Sequence, residues 1–275
     1  MIKKIKNNIV YKFFRKLYHF FVYLEIKIKN KIYKMSGNSS NIIFYHRVAD
    51  VKNDPHLLSI TPKIFREQMK FLKDNYNVVK YSDIIEKKEK NVLQNLDVSI
   101  TFDDGYADNL YEALPILEEF GLPATIFVTV GKLSDKKPFD WDVNTNRKDR
   151  GRPLMSEELK KLATHPLIDI GSHTLSHPIL ALQSIEKQKQ EIFNSKQVLE
   201  SLLQKSILLF SYPVGSKKTF NTNTMDLVCK AGYTSSCTTL AYRLTCRSNN
   251  YALPRKLIRN WGIKRFSKEL EDKIF

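Results

Sequence analysis

The chain has 275 residues, of which 42% are hydrophobic and 27% are charged. This length can form one large α/β domain with a substantial core, and the composition excludes a repeat or low-complexity protein. The formal net charge is +16, and residues 1–35 contribute +9 of it, because they contain ten Lys or Arg and a single acid, Glu25. The three cysteines, Cys229, Cys237 and Cys246, have no metal-ligand spacing, so we expect reduced thiols, which favours a cytoplasmic location.

The first predicted element is a basic amphipathic arm, residues 1–35. Apolar residues recur there every three or four positions, as on one face of a helix: Ile2, Ile5, Ile9, Phe13, Leu17, Phe20 and Leu24. Basic and aromatic residues between them favour a helix that lies on an anionic membrane surface. Two other interpretations stay open: the helix packs on the domain with its basic face in solvent, or it binds nucleic acid, the least favoured partner.

The arm is not expected to cross a membrane or to direct secretion. Its uncharged run at 17–24 is too short to span a bilayer, and no signal-cleavage pattern follows it. We therefore expect a protein held at the periphery of a membrane through residues 1–35, with the cytoplasmic side favoured over secretion. Residues 34–41 (KMSGNSSN) are small and polar, which predicts a linker to a single domain at 40–275.

Strands and helices alternate in the first half of this domain. Strands are expected at 42–45, 78–79, 98–102 and 124–130. Helices are expected from Thr61 and Pro62 through Leu72, after a Ser82 cap, and at 107–120, where Gly121 is placed to end the helix. The strand–helix–strand order across 98–130 argues for parallel pairing with a right-handed crossover.

The second half begins with a long irregular loop at 131–155, and loops of that length are often functional. A helix capped by Ser156, a strand at 167–171 and a long helix at 184–204 follow. The remaining elements are a strand at 206–210, a helix that closes near Gly232, and strands at 233–238 and 251–253. This alternation fits an α/β barrel of about seven parallel strands better than an open sheet.

Two motifs, each just after a predicted strand, carry the chemistry. TFDDG at 101–105 supplies Asp103 and Asp104, and SHTLSHP at 172–178 supplies His173 and His177. A carboxylate and two imidazoles with an open position are typical of a catalytic zinc, and the spare aspartate can serve as a base. Gly105 lets the chain bend so that both aspartates face one cavity, and the histidines, four apart, are expected to meet on one face of a helical turn.

These motifs resemble those of the polysaccharide deacetylases, the NodB-like carbohydrate esterases of family 4. The resemblance extends over residues 40–260 and implies a distorted (β/α) barrel whose site lies at the C-terminal ends of the strands. It also implies that Asp103 is the catalytic base. Asp104, His173 and His177 would then hold a divalent metal ion, with Zn²⁺ as the first candidate.

The sequence departs from the usual family pattern in the position of the general acid. Most members carry a late histidine, but no histidine follows His177 here. The FYHRV segment at 44–48 resembles a permuted subgroup of poly-N-acetylglucosamine deacetylases, which implies His46 as the general acid. The alternative is an inert, partly buried histidine at the end of a strand.

The segments that surround the base also depart from the family pattern. FSYPVG at 210–215 resembles the YPYG of the permuted subgroup, so we expect the backbone N–H of Tyr212 to bind the oxyanion and Pro213 to lie beside the substrate. The arginine that usually orients the base is missing, and Arg255 is the expected substitute, with an ordinary surface arginine as the alternative. Trp141 is expected to wall the sugar site, or else simply to pack.

The resemblance implies a metal-dependent deacetylase that hydrolyses N-acetyl amide bonds of an envelope or biofilm polysaccharide or its precursor. Its partner would be an N-acetylated glycan or a lipid-linked saccharide. Three alternatives stay open: a deacylase or deformylase of a lipid-linked sugar, an Fe(II) oxygenase with two histidines and one carboxylate, and a non-catalytic saccharide-binding protein. The order of the ligands argues against the oxygenase, and the intact acid and histidine set argues against the binding protein.

Overall fold

The computed structural model describes residues 9–134, 137–142 and 149–272. Ile2 and Ile5 of the predicted arm, and residues 135–136 and 143–148 of the predicted long loop, lie outside the described residues.

The described helices and strands alternate along the chain. The helices are α1 (Ile9–Met35), α2 (Pro62–Asn75), α3 (Tyr81–Glu89), α4 (Leu114–Phe120), α5 (Ser156–Thr164), α6 (Ile185–Leu203), α7 (Thr222–Lys230) and α8 (Ile263–Leu270). The strands are β1 (Ser39–Tyr45), β2 (Arg47–Val48), β3 (Ser59–Ile60), β4 (Asn77–Val78), β5 (Asp97–Phe102), β6 (Ala124–Val128), β7 (Ile168–Ser172), β8 (Leu209–Ser211), β9 (Ser235–Cys237), β10 (Leu244–Thr245) and β11 (Lys256–Leu257).

The strands form a curled sheet that is mainly parallel. Its parallel path runs in the order β11–β1–β5–β6–β7–β8–β9. Strand β4 also pairs with β5 in parallel, and β10 pairs with β1 in antiparallel fashion. An isolated parallel bridge between Cys237 and Leu253 carries the pairing from β9 toward the segment before β11. The predicted α/β class and distorted barrel of parallel strands are confirmed, and the C-terminal ends of the strands share one mouth.

The strands beneath this mouth are buried along their whole length. All residues of β5 and β6 are buried, as expected for parallel strands that are covered on both faces. The rings of Tyr45, Phe65 and Phe102 contact one another with centroids 5.3, 5.6 and 5.9 Å apart, which joins α2 to the ends of β1 and β5. This packing fixes the strand ends from which the polar groups of the mouth project.

The helix ends follow the sequence signals in part. Thr61 and Ser184 cap α2 and α6 through their side-chain oxygens, and Gly121 ends α4 with a φ of 64°. The predicted caps Ser82 and Ser156 are wrong, since each already lies within the first turn of its helix. The predicted helix at 107–120 has a π-helical turn, Asn109–Ala113, before α4.

Two predicted segments are wrong. The linker at 34–41 does not exist, because α1 continues to Met35 and β1 begins at Ser39. The small polar residues after Ser39 are buried, since β1 pairs with β5 and β10 there. In place of the predicted strand at 251–253 the structure has a single bridge between Leu253 and Cys237. The next strand along the chain is β11, which pairs with β1.

The C-terminal third of α1 is docked on the domain by polar contacts. Asn30 donates to the carbonyl of Ala241 and to Asp272 Oδ1, both at 2.9 Å, and it accepts the N–H of Arg243 at 2.7 Å. Lys27 forms an ion pair with Glu269 at 2.8 Å. None of the helices in the described part of the chain is long and apolar enough to span a membrane.

Candidate metal centre

The two motif segments meet at the mouth of the barrel. β5 delivers Asp103 and Asp104, and β7, two strands away in the sheet, delivers His173. The chain turns sharply after β5, where Asp104 and Gly105 have φ values of 72° and 78°. A Cβ atom at Gly105 would lie 3.0 Å from Val128 Cγ1, so glycine allows both the left-handed backbone and the close approach of β6.

Asp104, His173 and His177 form a compact group of donors. Asp104 Oδ1 lies 3.6 Å from Nε2 of His173 and 3.5 Å from Nε2 of His177. One ligand atom from each of the three side chains lies within 4.8 Å of the others. Nδ1 of His173 is 2.8 Å from the carbonyl of Ser211, which fixes the proton on Nδ1 and leaves Nε2 free to bind a metal.

The chemistry of this group fits a divalent cation. Burial raises the pKa of Asp104 well above its ordinary value, and the nearby carboxylates of Asp103 and Asp142 raise it further. Burial lowers the pKa of His173 to about 4 and that of His177 to about 3. A bound cation would offset the cost of burying the negative charge of Asp104. The lowered pKa values keep both histidines neutral, and the neutral imidazole is the form that binds metal. One carboxylate with two imidazoles suits Zn²⁺ and leaves positions for water and substrate.

The turn between the two histidines is not the helical turn that their spacing predicts. Thr174 and His177 both have left-handed backbones, with φ values of 68° and 61°. The N–H of His177 donates to Thr174 Oγ1 at 3.0 Å, which closes the turn. Left-handed conformations at residues other than glycine are unfavourable and concentrate at functional sites, because the surrounding structure must hold them in place.

Glu191 of α6 holds this turn and was missed by the sequence analysis. Its fully buried carboxylate accepts the N–H groups of Leu175 and Ser176 at 3.0 and 2.8 Å and the hydroxyl of Ser176 at 2.6 Å. The available signal was an acid among the regularly spaced buried residues of α6, since Gln188, Ser195 and Leu199 share that buried face.

We predict that Glu191→Ala weakens metal binding. Loss of the carboxylate leaves the N–H groups of Leu175 and Ser176 without their acceptor and frees the turn that presents His177. Outer-shell partners of metal ligands typically contribute about 10–100-fold to metal affinity. A competition titration with a chromophoric chelator measures the change, with Glu186→Ala, an exposed acid on the same helix, as the matched control. Equal affinities for both variants would show that the turn does not depend on Glu191.

Asp103 forms an ion pair with a buried arginine and does not belong to the donor group of Asp104, His173 and His177. Arg255 donates to Asp103 Oδ1 at 2.8 Å and to Oδ2 at 2.7 Å, and its guanidinium lies 4.4 Å from the ring centroid of Phe44. Arg255 is fully buried, so the alternative of an ordinary surface arginine is wrong. Burial alone would raise the pKa of Asp103, but the charge and hydrogen bonds of Arg255 outweigh burial and lower that pKa to about 2.

His46 lies across the same cavity at the end of β1. Burial lowers its pKa to about 4, and the charge of Asp103 partly opposes this effect. Its ring contacts Phe44 with centroids 5.6 Å apart. Nδ1 of His46 is buried, and no hydrogen-bond partner for it exists among the described residues. A buried imidazole nitrogen without a hydrogen-bond partner is costly. The nitrogen therefore marks a place where a bound ligand can supply that partner.

The cavity at this mouth has a volume of about 320 Å³. The residues that line it are Phe44, His46, Asp103, Asp104, Trp141, His173, His177, Val214, Thr239 and Leu257. The indole of Trp141 stacks on Phe139 with a centroid distance of 4.8 Å and lies 4.5 Å from the ring of His177. Its Nε1–H donates to the hydroxyl of Tyr106 at 2.8 Å. Trp141 therefore packs and also walls the cavity.

The predicted oxyanion donor is wrong in position. The N–H of Tyr212 donates to the carbonyl of Cys237 at 3.1 Å, so it is already used between β8 and β9. Its side chain is buried, and its hydroxyl donates to the carbonyl of Tyr251 at 3.0 Å. Pro213 is also buried and is not among the residues that line the cavity, so its predicted substrate role is not supported.

Val214 is the residue of this segment that reaches the cavity. It is exposed, lines the cavity and has a φ of 63°, which is unusual for a β-branched residue. Within the described ranges no acceptor takes its N–H. A backbone N–H held in such a strained turn can serve as an anion donor, which Tyr212 cannot. The sequence signal was the Gly215 that follows, which permits a turn of this kind.

Comparison with protein families gives one family along the middle of the chain. A family model described as polysaccharide deacetylase matches residues 90–236. A putative polysaccharide deacetylase of Bacillus subtilis, YxkH, is 31% identical over 217 residues, which cover 78% of this chain and 69% of that protein. A poly-beta-1,6-N-acetyl-D-glucosamine N-deacetylase of Staphylococcus aureus is 24% identical over 241 residues, which cover 83% of this chain and 76% of that protein.

Solved structures share the fold. The Streptococcus pyogenes deacetylase PplD, in complex with acetate, superposes with a TM-score of 0.70 and 22% sequence identity. The superposition covers 84% of this chain and 98% of that one, so the curled barrel extends over almost all of the relative.

Proposed function

This chain belongs to the polysaccharide deacetylase family, whose members are carbohydrate amide hydrolases, and we propose that it removes N-acetyl groups from an envelope or biofilm polysaccharide. The relative from Staphylococcus aureus, named for poly-β-1,6-N-acetylglucosamine, supports that polymer or its oligomers as the substrate class. The observation that carries the proposal is the pairing of two aspartates in one cavity. Asp104 lies with two imidazoles, and Asp103 is kept ionised by Arg255.

A metal ion held by Asp104, His173 and His177 would supply a Lewis acid, which polarises an amide carbonyl and lowers the pKa of water. The protein's own groups perform the remaining work. Asp103 accepts the proton of the attacking water, and the bidentate contact with Arg255 orients its carboxylate. The N–H of Val214 donates to the oxygen that becomes negative as the carbonyl is attacked.

In its protonated form His46 donates a proton to the leaving amine, and the negative charge of Asp103, which opposes the effect of burial on the pKa of His46, favours that form. It lines the same cavity as Asp103 and has a buried nitrogen without a partner, so a substrate amine can complete its hydrogen bonding. The wall that Trp141 adds beside His177 supports a site where the apolar C–H face of a sugar ring packs on the indole. Together these groups provide a base, an oxyanion donor, an acid and a binding wall.

We expect His46→Ala to lose turnover while metal content and fold are kept. A positioned acid typically contributes about 10²–10⁴-fold in rate, because the amine is a poor leaving group without a proton. Steady-state kinetics on an N-acetylglucosamine oligomer measure the loss, and His56→Ala, an exposed histidine outside the cavity, is the control. Near-normal turnover in His46→Ala would remove His46 from the reaction and leave the inert strand-end histidine as the correct interpretation.

A second candidate is the deacylation or deformylation of a phosphate-linked sugar. A groove of about 330 Å³ runs along β10, with exposed bases Lys29, Lys217 and Arg247 along it. Leu240 in this groove directly follows Thr239, which lines the cavity. A basic groove that this segment connects to the cavity suits a substrate that carries phosphate.

A panel of substrates separates the two candidates. We expect acetate release from poly-β-1,6-N-acetylglucosamine oligomers if the first is correct. Acetate or formate release from polyprenyl-phosphate sugars alone would favour the second. Oxygen consumption without release of an acyl group would support the Fe(II) oxygenase, and glycan binding without any turnover would support the binding protein.

A further inference from the structure

The N-terminal part of α1 carries an exposed apolar stripe. The exposed side chains at helical spacing are Phe13, Phe14, Leu17, Phe20, Phe21, Ile28 and Ile32. The four phenylalanines are between 55% and 62% exposed, although burial of such a ring is strongly favourable. Contiguous apolar surface of this kind marks an interaction site.

The domain does not cover the stripe. Among the α1 residues whose side chains the structure describes, those buried against the domain are polar, Lys27 and Asn30. Phe21 lies on the side of the helix opposite Asn30, whereas Phe20, seven positions before Lys27, lies near the side of Lys27. All seven side chains of the stripe are nevertheless exposed, so the interpretation in which the apolar face packs on the barrel is wrong. The polar contacts of Asn30 and Lys27 fix the helix, and the apolar stripe stays free.

Positive charge flanks the stripe. Lys12, Arg15 and Lys16 are exposed on the same turns as Phe13 and Phe14. Glu25 is the single acid in residues 1–35, and it pairs with Lys29 at 2.6 Å. A partner that covers the stripe must therefore have an apolar region that buries the aromatic rings and negative charge next to that region.

We propose that α1 binds an anionic lipid surface, with its apolar stripe in the headgroup region and its docked end holding the domain at that surface. An interfacial helix has this combination of aromatic residues on one face and Lys or Arg beside them. A second copy of the chain fits less well, because pairing two stripes would bring two rows of like charges together. The inference concerns binding alone and does not depend on the proposed chemistry.

The test uses the full chain and vesicles of phosphatidylcholine with or without about 30% phosphatidylglycerol, which gives the vesicle surface a negative charge. We expect sedimentation with the anionic vesicles only, and loss of binding as salt rises, because salt screens the surface charge. Phe20→Ser with Phe21→Ser should weaken the partition coefficient about tenfold or more for each ring. Leu182→Ser, an exposed apolar residue elsewhere, is the matched control and should bind as the parent chain does.

Charge is tested separately. Each Lys or Arg near an anionic surface contributes about fivefold to the partition coefficient, so Lys12, Arg15 and Lys16 changed to Gln together should lose about a hundredfold. The control changes the exposed Lys63, Lys70 and Lys73 of α2 to Gln and should lose far less. Circular dichroism checks that each variant is folded.

Two results would overturn the proposal. The first is a folded parent chain that does not bind the anionic vesicles at low salt. The second is a concentration-dependent dimer that Phe20→Ser with Phe21→Ser dissolves while vesicle binding stays unchanged, which would assign the stripe to a second copy of the chain.

Discussion

Changing His177 to Ala is expected to remove the metal ion and to reduce activity to background. His177 supplies one of three donor atoms, and its Nε2 lies 3.5 Å from Asp104 Oδ1. Two remaining ligands do not hold a cation against water and chelators. The fold should survive, because His177 lies in the mouth and the aromatic contacts beneath the strand ends do not involve it.

Metal analysis and thermal unfolding check this expectation. A ligand that binds only the folded state at about 100 times its Kd stabilises it by about 2.7 kcal/mol. Added Zn²⁺ should therefore raise the Tm of the parent chain and leave that of His177→Ala unchanged. His165→Ala is the control and should respond to zinc as the parent does, because His165 is a partly buried histidine that pairs with Glu118 outside the cavity. Stoichiometric metal in purified His177→Ala would contradict the ligand assignment.

Changing Asp103 to Asn is expected to keep the metal ion but to lose about 10²–10⁴-fold in turnover, because an amide cannot accept the proton of water. It should also destabilise the fold. Arg255 is fully buried, and the removal of one partner from a buried ion pair typically costs about 3–5 kcal/mol. The two effects are separable, since metal content and turnover per folded molecule report the site while the Tm reports the pair.

Asp272→Asn is the matched control for that loss of stability. Asp272 is buried and pairs with Arg243 at 3.3 Å and with Lys256 at 2.5 Å, away from the cavity. It should unfold at a lower temperature and yet keep its turnover. If Asp103→Asn keeps its turnover as well, then Asp103 is a structural partner of Arg255 and another group is the base.

The strands and their polar ends could be predicted because their signals are local. The β-branched run before Asp103 and the acid pair with Gly105 are both visible in the sequence and both hold in the fold. The side chains of Asp104, His173 and His177 come together as expected, since parallel strands bring their C-terminal ends to one mouth.

The features that sequence reasoning missed depend on contacts between distant segments. The carboxylate of Glu191 reaches the histidine turn from α6, and nothing in its local sequence shows that contact. The choice between Tyr212 and Val214 as the anion donor depends on which N–H the β8–β9 pairing uses. The small polar residues at Ser39 signal a linker locally, but strand pairing on both sides takes them into the sheet.

The helix α1 could be predicted from the sequence, but the side on which it docks could not. Its apolar periodicity predicts an amphipathic helix but does not say whether the apolar face is covered by the domain. Only the buried contacts of Asn30 and Lys27 show which side docks.

The most direct test measures acetate and free amine together, with poly-β-1,6-N-acetylglucosamine oligomers as substrate. The protein is first stripped of metal with a chelator, then assayed before and after addition of Zn²⁺. We expect no release from the stripped protein and equal amounts of acetate and new amine after zinc is restored. Equal release with and without metal, or no release from any N-acetylated glycan by the zinc-loaded protein, would contradict it.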